Sequence, residues 1–439
     1  MDSTTHRTLA VVAVAAVAAA AAAAPAGCLG ERTVGDLQGV QGGQTGAAGT
    51  SGTPVTGADA GSSPSTDGGA GAAGDPGVLV GGGTGDLRFL ATNYPTGFNS
   101  MAVAIGDLNA DGHDDVVVAS AGANGANDGV VDVLINHGDG TLASVVPYDV
   151  FGSPTSVVVA DLDGDGFGDV AVQDSGSASV RVLLNRGDGT LGPPSIYATD
   201  GYPSAVVAAD VDGDGKLDLV TANGAGSASV LLNAGRGTFR GQVGYPAGLG
   251  THGLVLADLN GDGKLDVVTA NEGTPSADSG IEVLLNKGAG ALGAPASYPL
   301  GAIFTYAVGA GDFDGNGTQD LVAVGQQSTA AHVFLGHGDG SFGAPASYAA
   351  GTEPISVAVG DLNGDRRPDI AFANYNMSGN GTANVLLNKG DGTFAPMTSY
   401  PAGFSPMGVA IGDLNGDGRG DIAVANEVGG SVTILLSSP

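Results

Sequence analysis

Tryptophan is absent from this sequence of 439 residues, cysteine occurs once, and charged residues make up only 13%. One thiol cannot build a disulfide framework. The missing tryptophan counts mildly against a lectin, because indole rings are common stacking platforms. Bases are scarce: 14 Lys and Arg stand against 45 Asp and Glu, a formal charge of -31. Phosphate recognition needs a basic stripe, so no nucleic-acid partner is expected, and cations are the natural counter-charge. What the chain has in excess is glycine, 80 residues, which with its Asp and Asn points to many short strands and tight turns.

An alanine-rich apolar stretch over residues 9–24 follows Arg7, is too short for a comfortable membrane span, and ends in Ala24, Pro25, Ala26, Gly27 and Cys28. Residues 1–27 therefore read as a signal peptide. Two cleavage readings stay open. Ala24-Pro25-Ala26 fits the small-residue rule of an ordinary signal peptidase, which would free the protein. Ala26-Gly27-Cys28 resembles a bacterial lipobox, with lipidation at Cys28, although Pro25 stands where a lipobox carries an aliphatic residue. The expected location is accordingly outside the cytoplasm: the cell envelope as an outer-membrane lipoprotein, or secreted. Membrane contact is expected only through that lipid. Residues 28–84 are Gly, Ala, Thr, Ser, Pro and Asp with almost no large apolar side chain, and read as a disordered linker.

From residue 85 to the C-terminus one unit recurs. Each copy has four short apolar runs, read as four strands, with an aspartate-rich loop after the first run. The loops begin at Asp107, Asp161, Asp210, Asp258, Asp312, Asp361 and Asp413, so the spacings are 54, 49, 48, 54, 49 and 52 residues. That is the length of a propeller blade, and seven copies predict an all-β, seven-bladed β-propeller of four-stranded antiparallel blades. The last copy stops after its third strand, while residues 85–94 look like a stray fourth strand placed ahead of the first copy. Pairing the two would close the ring and bury both sheet edges.

Length variation is confined to one place. Twelve residues always separate the end of strand three from the repeat tyrosine (Tyr148, Tyr197, Tyr245, Tyr298, Tyr348, Tyr400), whereas the stretch from the loop's last aspartate to the end of strand three runs from 15 to 21 residues. One connection, between strands two and three, absorbs the difference. In a zigzag blade the aspartate loops share one face with the Gly-Asp-Gly turns, and the variable loops share the other with the blade-to-blade connections. The longest variable loops cover residues 121–128, 273–279 and 375–381. The tyrosines, one per blade including Tyr94, are expected to pack blades together.

Every loop reads Asp-x-[Asp/Asn]-x-[Asp/Asn]-x-x-x-Asp, usually with glycine at position six. Carboxylates at this spacing repel one another unless a hard cation lies between them, and calcium takes six to eight oxygens in a flexible cage. Side chains at positions one, three, five and nine, with the carbonyl of position seven, form the candidate ligand sets. In order they are Asp107, Asn109, Asp111, His113 and Asp115; Asp161, Asp163, Asp165, Phe167 and Asp169; Asp210, Asp212, Asp214, Lys216 and Asp218; and Asp258, Asn260, Asp262, Lys264 and Asp266. The remaining three are Asp312, Asp314, Asn316, Thr318 and Asp320; Asp361, Asn363, Asp365, Arg367 and Asp369; and Asp413, Asn415, Asp417, Arg419 and Asp421. Up to seven structural Ca2+ ions would take the formal charge from -31 to about -17. The sixth loop, with Arg366 in place of glycine beside Arg367, is expected to be the weakest; the fifth has one carboxylate fewer than the second and third.

These repeats are similar to the FG-GAP or VCBS family of integrin-type propellers. Phe342-Gly343-Ala344-Pro345 spells the family signature, and Leu292-Gly293-Ala294-Pro295 and Leu191-Gly192-Pro193-Pro194 echo it. An EF-hand or dockerin is ruled out because position nine is followed by β-type runs, with no acidic residue at position twelve leading into a helix. The resemblance implies a calcium-stabilised fold whose partner-binding loops lie opposite the metal loops. No catalytic residue is expected, since His113, His137, His252, His332 and His337 have no nucleophile at motif spacing. The leading expectation is a non-catalytic secreted or surface-anchored module for protein or glycan binding or adhesion. A lectin-like sugar binder and a propeller-fold polysaccharide lyase are the alternatives.

Overall fold

A computed structural model describes residues 78–80, 87–123, 128–273, 279–301, 304–377 and 379–438. The signal-peptide reading, Cys28 and nearly all of the linker lie outside them, as do parts of the three longest variable loops.

Alternating small and β-branched residues make each repeat a four-stranded antiparallel sheet. In the first, Ser100–Gly106, Asp115–Ser120, Val130–Leu134 and Val146–Asp149 pair in sequence order, and every residue of the second strand is buried. A strand buried on both faces reads as a continuous apolar run, which is why the second strands read VVV, VAV or IAF. Seven such sheets form, all-β and without a helix among the described residues. The first strand of each blade lies against the first strand of the next around the whole ring, from Ser100–Gly106 to Pro406–Gly412 and back.

Each apolar core lies between two blades. Val158, Leu162, Ala171 and Val182 of the second blade pack with Val206, Leu219 and Leu231 of the third, and the same arrangement repeats at all seven seams. Small residues are required where inner strands converge: a Cβ on Gly412 would come within 2.6 Å of Ile105 across the closing seam.

The ring closes as the repeat arithmetic predicts. Arg88–Pro95 pairs antiparallel with Ser431–Ser438 along its full length, from Arg88 opposite Ser438 to Pro95 opposite Ser431, as the outer strand of the last blade. One addition was not foreseen. Val78–Val80, inside the segment read as linker, pairs with Phe89–Ala91 and gives that blade alone a fifth strand.

Candidate functional site

The seven aspartate loops share one hydrogen-bond plan. The backbone N–H of position six donates to the carboxylate of position one, that of position five to the side-chain oxygen of position three, and that of position seven to the side chain of position five. In the third loop these are Gly215 to Asp210 at 2.8 Å, Asp214 to Asp212 at 3.0 Å and Lys216 to Asp214 at 3.0 Å. Position six is left-handed throughout, with φ between +68° and +93°, and the sixth loop forces Arg366 to the +68° value. Position four is left-handed as well, a requirement the sequence reading missed: six loops supply glycine there and the first supplies Ala110 at +56°.

Position nine has a separate task. Its aspartate is fully buried in all seven loops and accepts two backbone N–H bonds, one from position two and one from the end of strand three. Asp218, for example, takes Val211 N–H at 3.1 Å and Asn233 N–H at 2.7 Å. Desolvation raises the carboxyl of Asp115, Asp169, Asp218 and Asp421 to about 6 and that of Asp369 to about 7, against the lowering effect of those same N–H donors. Neighbouring loop carboxylates add to the rise, and burial lifts Asp266 and Asp320 as well.

Asn233 then ties the loop to the ring. Its amide donates to Leu217 O of its own blade at 2.8 Å and to Leu162 O of the preceding blade at 2.7 Å. Asn136, Asn185 and Asn286 repeat the bridge. The fifth blade has Gly336 at this place and lacks it. The tyrosine hydroxyls cross the same seams: Tyr197 donates to Gly237 O at 3.0 Å, Tyr348 to Gly392 O at 3.0 Å and Tyr400 to Leu87 O at 2.7 Å. The side chain of position seven lies over the neighbouring turn, His113 against Gly138, Phe167 against Gly187 and Arg367 against Gly390.

Carboxylate oxygens converge within 4.8 Å in three loops: Asp161, Asp163 and Asp169; Asp210, Asp212 and Asp218; and Asp312, Asp314 and Asp320. In the first loop one oxygen of Asp107 is buried with no hydrogen-bond partner. Converged carboxylates and an orphaned buried oxygen fit a hard oxygen-seeking cation. These three loops are the ones with aspartate at position three, whereas position five stands outside each cluster. Its outer oxygen instead meets a base at position seven where there is one, as Asp214 meets Lys216 at 2.5 Å and Asp262 meets Lys264 at 2.8 Å. The fifth loop, with Asn316 at position five, thus keeps three converged carboxylates, whereas the loops with Asn109, Asn260, Asn363 and Asn415 carry an amide oxygen at position three.

The opposite face has no such regularity. His252 stacks on Tyr306 with ring centroids 4.4 Å apart and meets Glu272 at 3.1 Å. Met101, Tyr306, Ile355 and Met407, near the starts of four inner strands, form a buried apolar cluster at this end. Spacing could not reveal this grouping, because each residue comes from a different repeat.

Buried seams between four-stranded sheets and one acidic loop per blade define a repeat propeller with candidate cation sites. The chain belongs to the FG-GAP-like repeat family, whose match covers residues 107–172, 169–221, 210–269, 260–323, 312–372 and 361–424. No curated protein matches the sequence. Among solved structures, it is similar to an Agrocybe aegerita lectin that recognises non-reducing terminal N-acetylglucosamine, at 22% identity and a TM-score of 0.50, over 77% of this chain and 85% of that one. It is similar to BBS1N in complex with ARL6DN, at 13% identity and a TM-score of 0.52, over 79% of this chain and 95% of that one. The V. cholerae biofilm matrix protein Bap1 matches at 14% identity and a TM-score of 0.40, over 78% of this chain and 68% of that one. At these identities the likeness is one of fold.

Proposed function

We propose that this is a non-catalytic, calcium-stabilised binding module, exported to the cell envelope or secreted, that holds a protein or glycan on the face opposite its acidic loops. The observation that carries the reading is the division of labour between faces. Seven near-identical acidic loops, each wired into its own third strand, and in four blades also to the preceding blade, occupy one face. Nearly all individuality in loop length and side chain lies on the other.

Calcium in this reading is structural. The ion is held by positions one, three and nine with help from position five and the carbonyl of position seven, and it offsets repulsion that otherwise opposes loop closure. The lectin likeness makes a glycan a reasonable ligand class. Capture from cell-envelope extracts on the immobilised full-length protein, with calcium and with chelator, tests the proposal. A partner retained only with calcium, and lost on substitution within the variable face, supports it. Uronate-releasing activity from polysaccharide would replace it with the lyase reading.

A further inference from the structure

The bases of this chain are segregated. Of the 14 Lys and Arg, Arg7 and Arg32 precede the propeller; of the other twelve, all but Arg181 sit in the acidic loops, the Gly-Asp-Gly turns or the strand ends beside them. Arg181 is nearly buried and paired with Asp174 at 2.6 Å. No connection on the opposite face contains Lys or Arg in the sequence. Acids are present there: Asp128, Asp149 and Asp200 on the exposed rim, and Glu272, Glu353 and Glu427 half-buried, Glu272 and Glu353 near the His252 and Tyr306 pair and Glu427 bonded to Tyr375.

The same face carries large exposed apolar side chains. Phe98, Phe151, Tyr202 and Leu249 come from four consecutive blade-to-blade connections and are 67, 56, 64 and 54% exposed. These connections follow one another around the ring. Phe151 is held there at φ +49°, a left-handed backbone that a bulky residue rarely adopts. Exposed apolar arcs rimmed by one sign of charge mark association surfaces.

We infer that this face docks a cationic polypeptide segment, whose apolar side chains cover the arc of Phe98, Phe151, Tyr202 and Leu249 and whose Lys or Arg groups meet Glu272, Glu353 and Glu427. The inference rests on the proposed binding role of this face and narrows it to one partner class. An anionic polysaccharide is repelled by carboxylates that no Lys or Arg on this face offsets, and a neutral sugar, though it can donate hydroxyls to them, leaves their charge unmet. A base-free face also rejects acidic chains, which gives selectivity by repulsion.

The test uses the full-length protein in calcium and a fluorescein-labelled amphipathic peptide of alternating lysine and leucine pairs, followed by anisotropy. The expected result is saturable binding that weakens as salt rises. Affinity should fall about tenfold or more in Phe98→Ser/Phe151→Gly/Tyr202→Ser and in Glu272→Gln/Glu353→Gln/Glu427→Gln. Asp139→Asn/Asp188→Asn, on the other face, should leave it unchanged. Melting in calcium checks that each variant is folded, and Phe151→Gly alone should not lower the melting temperature. Equal loss from acids on either face would show only non-specific attraction and overturn the inference. Binding of neutral or sulphated oligosaccharides but not the peptide, lost in the same variants, would overturn it while leaving the binding role standing. Failure of all probes and of envelope capture would remove both.

Discussion

The aspartate at position nine serves two masters, and substitution can separate them. Asp218 joins the carboxylate cluster of its loop, and it also satisfies two buried N–H groups that have no other acceptor. Asp212 at position three caps only the exposed turn. Asp212→Asn is therefore expected to reduce the stabilisation by calcium and leave the chelated protein's melting almost unchanged. Asp218→Ala is expected to destabilise the chelated protein too, by about 2–5 kcal/mol, because two buried donors lose their partner. Melting each variant with and without chelator reads the difference directly. Asn233→Ala probes the next contact outward. Removing both of its bridging bonds should cost about 2–3 kcal/mol, with or without calcium, and urea unfolding measures it.

At the scale of the loop, protons and calcium act in opposite directions. Burial and neighbouring carboxylates raise five of the position-nine aspartates to about 6 or 7, and lift Asp266 and Asp320 as well. A carboxyl raised on folding favours the folded state most when protonated. Its contribution is fully present below the unfolded value near 4 and is lost as pH rises through the folded value. The chelated protein is thus expected to melt at higher temperature as pH falls from 8 to 5. With saturating calcium the trend should reverse, because protons then displace the ion from the same oxygens. Crossing melting curves are the signature; parallel curves would detach these aspartates from the metal. Much of the loop was legible in the sequence, since the ligand spacing is written in every repeat and the glycine at position six in all but the sixth. Position four escaped notice because glycine there reads as filler until the backbone shows a second left-handed residue, and one of the two N–H bonds to position nine depends on the end of a strand 15–21 residues away.

For the whole ring, the blade count and the closing strand followed from repeat arithmetic, because both depend on length and alternation along the chain. The seams did not. Which asparagine reaches the preceding blade, and which aromatic residues gather on the open face, depend on neighbours 50 or more residues apart. The seams make stability a property of closure. Each loop is bonded to its own blade, and four of them are tied to the next by bridges such as Asn185 to Leu108 O, so an ordered loop there stiffens two blades. Calcium at 100 times its dissociation constant adds roughly 2.7 kcal/mol per site, and those increments act on a ring in which the edge of Ser431–Ser438 is covered only while Arg88–Pro95 is in place. Deleting residues 78–95 should therefore do more than remove one strand. It exposes the edge of Ser431–Ser438 and uncovers the seam where Phe89 packs edge-on against Tyr400 at 4.8 Å. The expected outcome is a chain that self-associates through the open edge, seen as higher-order species in light scattering, and whose melting is no longer rescued by calcium. A deletion variant that stays monomeric and keeps its full calcium response would show that the blades are held by their seams alone.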